Sequence, residues 1–580
     1  MSTNTTDNVK HINHINQLLH NKGVKQEDRI AVLTSLFEKR KNAADSKTLP
    51  TSFVIDPKFH DVMEVIQAID FTNQEITQEI FMLFGSKLTR YKLDQFYTPL
   101  TISDFINAVM VGGTEKSAVD PAGGTGDLLV HYTGNTHIWD IDEHALELCR
   151  FNYELNRKIN YHIKCKNSLV FDPNAEDASS SSSSSSFDYV TMNPPFGSST
   201  VVTDEAILQY YELGVGKKKQ EIGILFLELG LKLLKPDGIM FAIVPAGYVG
   251  NSTKPCMELR ELLLRHRVIA SIELPKQSFK RSGTGVNTYI LVVQKKAVAL
   301  VTESYPIFIA SVDNIGYELS KANTPVKYRI VRETGDIMMN DEGHPIVDND
   351  LVECARQLSQ FAVDCNISNV AIAPIVHDVP SAPLPPYDNV ESSSLQNLIL
   401  DVKRYSRSYR MLLSKLTSTP GCVPISELSK LVLKATKIEK NKKYKYIDIG
   451  EISTPLYGSK ELYGWELPSR AKYALQKYDI LVSKLEGTVS YCVILDDSDN
   501  YISTNGVTVI RPKNTNALYI LFANITKKDF IVQHTAYLTG SIMASLGDSD
   551  IAGILMDTNI DVNMTKKMVE ALTALNALRL

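Results

Sequence analysis

The sequence predicts an α/β protein with a Rossmann-like sheet, preceded by a helical region and followed by a second functional domain. Three observations predict it. Short apolar runs alternate with helical stretches between about 91 and 300, several of those runs end at Asp, Asn or Pro, and a glycine-rich turn follows the first of them. Alternation of this kind implies a sheet covered by helices on both faces. Polar strand ends are expected where parallel strands deliver residues to a site.

The bulk properties bound the answer. A chain of 580 residues has room for roughly three or four domains. Its 44% hydrophobic and 22% charged residues are the balance of an ordinary globular protein. No run of about 18 apolar residues exists, so no membrane span is expected, and the N-terminus lacks a signal-peptide pattern. Seven cysteines lie far apart with no CxxC pair, which argues against a zinc site and a disulfide framework. A reduced, cytoplasmic protein with no metal is expected. The net charge of −5 does not by itself suggest a nucleic-acid partner, but phosphate binding depends on local patches.

Residues 1–90 are expected to form a helical scaffold, since Ile30, Leu33, Leu36 and Phe37 recur at helical spacing. No paired-acid and E-x-K arrangement of a metal-dependent nuclease stands out there. Over 91–300 the strand candidates are Ala118–Val119, His137–Trp139, Tyr189–Met192, Met240–Val244, Val268–Glu273 and Thr288–Val293. Helices are expected at Asp142–Asn156 and Glu221–Leu234. Eight serines, Ser179 to Ser186, read as a solvated loop. Residues 301–372 give weak signals, and the Pro/Ser-rich stretch 373–394 reads as a linker, so 301–395 is expected to be a connector. The last domain, 396–580, opens with a helical stripe (Leu398, Val402, Tyr405, Tyr409, Leu412, Leu416) and closes with another (Met564, Met568, Leu572, Leu575, Leu578) around short β-like runs.

The turn Asp120-Pro121-Ala122-Gly123-Gly124-Thr125-Gly126 lets a ligand approach the backbone closely. Alone it could serve a dinucleotide, a phosphate or only a bend, although no Lys-Ser/Thr follows as in a P-loop. The next strand ends in Asp140-Ile141-Asp142, where an acidic residue can accept from ribose hydroxyls. Asn193-Pro194-Pro195-Phe196 stands at the end of a later strand. An Asn side-chain oxygen and a Pro carbonyl can accept both hydrogens of an exocyclic amine such as adenine N6, whose lone pair is otherwise delocalised into the ring. Two prolines stiffen the turn that aims them, and Phe196 can stack on a base that has left the duplex. In isolation the same four residues could be a Pro-rich turn with a core Phe.

In combination, DPAGGTG, an acidic strand end and NPPF 67 residues after Gly126 resemble the amino-methyltransferase family that modifies DNA bases, in the motif order of its γ class. The resemblance covers about 95–295 and implies S-adenosylmethionine as cofactor, double-stranded DNA as substrate and N6 of adenine as the methylated atom. It implies catalytic roles for Asn193, Pro194, Pro195 and Phe196. Cofactor contacts are implied for Gln95, Phe96, Tyr97, Thr98, Pro99, Asp120, Ala122, Gly124, Thr125, Gly126, Asp140, Ile141, Asn167 and Ser168. Asn167 stands where the family usually has Asp, and its amide oxygen can still accept from an adenine amine. Leu274-Pro275…Phe279…Val286-Asn287-Thr288 resembles the segment whose aromatic meets the flipped base, which implies that contact for Phe279 beside Phe196. The details resemble modification subunits of type I restriction systems. A protein glutamine methyltransferase would need no separate recognition domain; an N4-cytosine enzyme uses similar amine chemistry and stays an alternative, although such enzymes more often have Ser than Asn at the first motif position.

In the last domain Lys434, Lys437, Lys440, Lys442, Lys443 and Lys445 fall within 12 residues, with Tyr444 and Tyr446 interleaved. Such a run is often only a solvated face; beside a DNA methyltransferase it reads as a phosphate-contact patch, with Lys437, Lys442, Lys443 and Lys445 the chosen contacts. The text Lys445–Gly450, Tyr478–Lys484 and Ile502–Val507 resembles a target-recognition domain of type I specificity subunits, an α+β unit with flanking helices. Those subunits generally carry two such domains, and this chain carries one. The resemblance thus implies modification and specificity fused in one chain, alone, as a homodimer, or with restriction or specificity partners. The alternatives are a component of a larger restriction or phage-defence complex, and a non-catalytic DNA-binding protein on a methyltransferase fold.

Overall fold

The computed structural model describes residues 14–25, 28–29, 32–33, 36, 57–68, 98–170 (without 157), 187–195, 200–280, 285–372 (without 301–302, 321–325, 332–333 and 341–344) and 388–577 (without 396–397, 488, 498–499 and 541–543). The chain divides into two compact units, Met1–Leu398 and Ile399–Leu580. The serine run Ser179–Ser186 and the positions Ile30 and Phe37 lie outside the described residues.

In the first unit the strands are β1 (Ser117–Asp120), β2 (Asn135–Asp140), β3 (Tyr161–Cys165), β4 (Phe187–Met192), β5 (Val201–Val202), β6 (Gln220–Glu221), β7 (Leu234–Pro245), β8 (Arg267–Glu273), β9 (Thr288–Gln294), β10 (Pro306–Ser311) and β11 (Asp388–Glu391). Nine of them form one sheet in the order β11-β10-β8-β9-β7-β4-β1-β2-β3, while β5 and β6 pair separately. The run from β3 to β7 is parallel. β9 then enters antiparallel between β7 and β8. The expected α/β sheet is therefore present, with every predicted strand in it.

Three of its strands were not foreseen. β3 alternates half-buried and exposed residues at the sheet's end, and its polar sequence YHIKC carries little apolar signal. β10 and β11 fall in the stretch read as connector. β10 is parallel to β8, and β11 caps it antiparallel, so these residues extend the sheet instead of leaving it. The helix Leu351–Asp364 also belongs to this unit's core, through Leu351, Leu358 and Phe361.

Helices cover the sheet as the alternation demands. Leu100–Val109 buries Ile102, Phe105 and Ile106, and Ile222–Leu233 is buried along most of its length. Glu143–Leu155 is capped by Asp142, whose carboxylate accepts from the His144 N–H at 3.0 Å. On its outer face, Leu148 and Phe151 join Ile15, Leu19, Leu33, Leu36, Val62, Met63 and Ile66 in one apolar cluster. The described N-terminal segments are thus helices anchored on this helix, including Leu33 and Leu36 of the predicted stripe.

The second unit mixes strands and helices, as expected for an α+β unit. One four-stranded sheet runs Ser429–Leu431, Val507–Pro512, Ile480–Ser483, Tyr491–Val493; another runs Lys460–Tyr463, Lys443–Ile447, Tyr501–Thr504, Ala471–Ala474. Asp479, fully buried, receives two hydrogen bonds from the Arg511 guanidinium at 2.8 Å each, a bidentate pair. The two helical stripes behave differently from expectation. The first begins as a 3-10 turn, Val402–Tyr405, and becomes an α-helix only at Arg407, after the Ser406 cap. In the helix Val562–Ala577 the stripe is largely outside: Met564, Met568 and Leu575 are exposed, while Val569 is buried. No helix among the described residues is long and apolar enough to cross a membrane.

Candidate active site

Strand order reverses at β1: β2 and β3 lie on one side and β4 and β7 on the other. In a parallel sheet such a reversal opens a crevice at the carboxyl ends of the strands, because the following connections leave in opposite directions. β1 ends in Asp120 and β4 leads into Asn193. The pairing Ala118 with Tyr189 and Val119 with Val190 sets these two chain ends side by side at the crevice.

The glycine-rich turn is held from several sides. Gly124 and Gly126 have φ of +50° and +76°, which side-chain-bearing residues rarely adopt. A Cβ on Gly126 would lie 2.5 Å from Cys149 Sγ and 2.7 Å from Tyr153 Cε1, so that glycine also permits close packing on the helix behind. A Cβ on Gly124 would meet nothing within 4 Å. Asp120 accepts from the Ala122 N–H at 3.1 Å. Asp140, 8% exposed, accepts from the Gly124 N–H at 2.8 Å and from the Asp142 N–H at 2.9 Å. The end of β2 is thereby tied to the turn after β1. Ser168 adds a third tie, donating its hydroxyl to the Pro121 carbonyl at 2.6 Å.

Charge is concentrated and poorly solvated here. Burial pushes the Asp120 carboxyl well above the usual carboxylate range, and the neighbouring Asp140 and Asp127 carboxylates add to it, against the hydrogen bond from Ala122. Burial also raises Asp140. Asp127 is pushed up to about 6 by burial, although it accepts from Thr125 Oγ1 at 2.8 Å, from Asn152 Nδ2 at 3.2 Å and from the Thr98 backbone N–H. Ile141 stands beside these acids 58% exposed. Asn167 is exposed, its Oδ1 accepting from the Leu169 N–H at 3.1 Å.

Across the crevice, Asn193 is half-buried and Pro194 buried. Asn193 Nδ2 donates to Thr98 Oγ1 at 3.3 Å, and Thr98 is itself 6% exposed. Pro99 caps the helix that begins at Leu100. Behind the turn, a Cβ on Gly223 would lie 2.7 Å from Tyr248 Oη and 3.2 Å from the Pro195 carbonyl oxygen. Tyr248 Oη in turn donates to Glu221 Oε2 at 3.1 Å.

The structure thus brings Thr98, Asp120, Ala122, Gly124, Thr125, Gly126, Asp140, Ile141, Ser168 and Asn193 to one end of the sheet. Gln95, Phe96, Tyr97 and Phe196 lie outside the described residues. Phe279 is placed elsewhere: it is 1% exposed and packed into the core cluster with Leu274 and Ile272, so its ring shows no open face to a base. A Phe between a loop proline, Pro275, and the Asn287-Thr288 pair looks alike in sequence whether it points outward or inward. Asp127, Asn152 and Gly223 were not anticipated. Gly223 stands at the first turn of a predicted helix, where a helix-disfavouring residue was the available signal.

In the second unit the lysine-rich segment becomes the strand Lys443–Ile447, where Tyr444 and Tyr446 are buried and Lys443 and Lys445 face the other side. Lys437 and Lys443 are exposed, and Lys442 and Lys445 half-exposed. Among the described residues no group of His, Cys, Asp or Glu is arranged to hold a metal ion.

Comparison with known proteins gives a family and several distant likenesses. No curated protein matches the chain. A Listeria monocytogenes protein described as a class I S-adenosylmethionine-dependent methyltransferase is 17% identical, over 55% of this chain and 95% of its own, at a TM-score of 0.40. The type IIG restriction endonuclease BpuSI is 13% identical over 97% of this chain and 71% of its own, at 0.45. The methyltransferase subunit of a type I restriction-modification system from Streptococcus thermophilus is 16% identical over 63% and 79%, at 0.38. These likenesses are too loose to carry the assignment, which rests on the family match. Residues 79–373, half of the chain and all of the crevice, match the family of N-6 DNA methylases, and the chain belongs to that family.

Proposed function

We propose that this chain transfers a methyl group from S-adenosylmethionine to N6 of adenine at a specific site in double-stranded DNA, with the target base extruded from the duplex. The observation that carries the reading is the placement of the Asn193-Pro194-Pro195 turn and the Gly124 turn at the carboxyl ends of adjacent strands on either side of the sheet's reversal. Three features fit the cofactor. Space lies open over Gly124, a buried carboxylate stands beside it at Asp140, and Ile141 leaves an apolar side chain uncovered next to that carboxylate. When bound, S-adenosylmethionine supplies an electrophilic methyl on a positively charged sulfur.

Each side chain then has a task. Asp140 spends one lone pair of each oxygen on a backbone N–H and keeps others for ribose hydroxyls. Ile141 packs on the adenine ring of the cofactor, and Asn167 accepts from its amine. Asp120, Ala122, Gly124, Thr125, Gly126 and Ser168 shape the floor. The Asn193 side-chain oxygen and the Pro194 carbonyl accept the two hydrogens of the substrate amine, which concentrates the lone pair on nitrogen for attack. Extrusion is required because N6 inside a duplex is out of reach of a crevice.

The second unit is read as the part that recognises the target, with Lys437, Lys442, Lys443 and Lys445 on phosphates. Double-stranded DNA is the partner, and a second copy of the chain or restriction and specificity subunits complete the assembly. The test is single-molecule sequencing of DNA from a methylation-free host expressing the chain or Asn193→Ala. N6-methyladenine in one sequence context with the wild type, and none with the variant at retained cofactor affinity, is expected. Methylation by the variant, or a methyl group on cytosine, overturns the reading.

A further inference from the structure

The chain has two tryptophans, and the structure treats them oppositely. Trp139 is 8% exposed in β2, with Lys166 Nζ 3.4 Å from its ring centre. Trp465 is 66% exposed. Its ring lies parallel to that of Tyr463, itself 40% exposed, with centres 6.3 Å apart and an 11° angle between planes. An aromatic pair left in water is costly for a folded surface, since large apolar side chains gain most from burial.

The pair is built rigidly. Its loop is fastened to the lysine-rich turn by backbone bonds from Gly464 N to Lys442 O at 2.9 Å and from Trp465 N to Lys440 O at 3.2 Å. Gly464 permits that approach, because a Cβ there would lie 2.1 Å from the Glu439 carbonyl oxygen. Glu466 holds the near side, its Oε2 accepting from Tyr463 N at 2.7 Å. Lys443 Nζ sits 5.3 Å from the Tyr463 ring centre, and Lys442 Nζ 5.6 Å from that of Tyr444. Among the described residues Lys440, Lys442 and Lys443 carry no ion pair. Glu439, Glu461 and Glu466 are the acids of this patch, against Lys437, Lys440, Lys442, Lys443 and Lys445.

We propose that Tyr463 and Trp465, with Lys440, Lys442 and Lys443 beside them, form an aromatic ledge that docks on duplex DNA, the ammonium groups on phosphates and the outer face of Trp465 against the deoxyriboses between them. The proposal rests on the DNA-modifying reading above and adds to it an aromatic contact on the second unit. A polyanion with flat apolar groups along it matches both halves of the patch. An acidic peptide would answer the charge but leave the flat face of Trp465 without a counterpart.

The test uses the full chain, a labelled 20-base-pair duplex and the intrinsic fluorescence of the protein. Duplex should quench the emission of the wild type. Trp465→Ala should weaken duplex affinity by about tenfold, near the upper end of what one aromatic contact contributes, while Trp465→Phe recovers most of it. Unchanged calorimetric affinity for S-adenosylmethionine shows that the variants are folded. If the duplex binds without quenching and Trp465→Ala binds as well as wild type, the ledge is overturned while the methylation reading stands. Equal quenching by polyglutamate overturns DNA as the occupant. If the full chain neither binds duplex nor methylates DNA in the host, the underlying reading falls, and the ledge with it.

Discussion

The side-chain amide of Asn193 is held by the hydroxyl of Thr98, which accepts from its Nδ2 at 3.3 Å across 95 residues of sequence. A fixed Nδ2 leaves the amide only one way to face its oxygen. The backbone N–H of Thr98 donates in turn to Asp127, which also binds Thr125 and Asn152. The residue assigned to the substrate amine and the turn assigned to the cofactor are therefore parts of one hydrogen-bonded chain.

Thr98→Val keeps the shape and removes the acceptor. Its kcat for methyl transfer should fall about fivefold, the worth of one ordinary hydrogen bond, with cofactor affinity little changed; Thr98→Ser should restore the rate. Single-turnover kinetics and calorimetry on one preparation separate the outcomes. A loss confined to cofactor affinity would mean that the hydroxyl serves the cofactor and not Asn193.

Gly223→Ala should displace the Asn193-Pro194-Pro195 turn, because the added methyl meets the Pro195 carbonyl oxygen and Tyr248 Oη. The outer partner of that contact is backbone, which cannot swing aside. Methyl transfer should fall by an order of magnitude or more, about 1.4 kcal/mol at the transition state, while S-adenosylmethionine still binds. Wild-type kcat in this variant would show that the turn has room to spare.

Asp140→Ala should weaken S-adenosylmethionine binding by about 1–3 kcal/mol. Two losses combine, the ribose contact and the hydrogen bond that orders Gly124. Asp140→Asn keeps an acceptor for one backbone N–H and should fall between the two. An unchanged dissociation constant in both variants would move the ribose contact to another residue.

Asp127 sets a pH dependence. Its folded pKa is about 6, above the ordinary 3.8, so the folded chain favours the protonated acid. That contribution to stability is complete below about pH 4 and is lost as pH rises through 6. It amounts to at most about 3 kcal/mol, and less to the degree that water reaches the part of this largely buried side chain left uncovered. Thermal melting between pH 4 and 7 should show a shallower decline for Asp127→Asn than for wild type. Parallel curves would place the carboxyl near its ordinary value.

Neutralising Lys437, Lys442 and Lys443 together should weaken binding to cognate and scrambled duplexes alike. The salt dependence should become shallower by about one unit of slope per lost phosphate contact. Site preference should survive. A triple variant with unchanged affinity and slope would make these lysines a solvated face.

The sequence by itself determined the strand-forming runs of β1, β2, β4, β7, β8 and β9, the glycine-rich DPAGGTG turn and the polar ends of β1, β2 and β4. These are local properties: apolar runs, turn residues and breakers act on their own few neighbours. It could not show β3, whose polar text gains strand structure by pairing with β2, nor β10 and β11, which are drawn into the sheet from a stretch that looks like a connector. Tertiary structure alone decided that Phe279 turns into the core, that Met564 and Met568 face outward, and that Thr98 meets Asn193. Which face of an element is buried, and which distant hydroxyl reaches an amide, depend on what packs against it, and no window of sequence contains that neighbour.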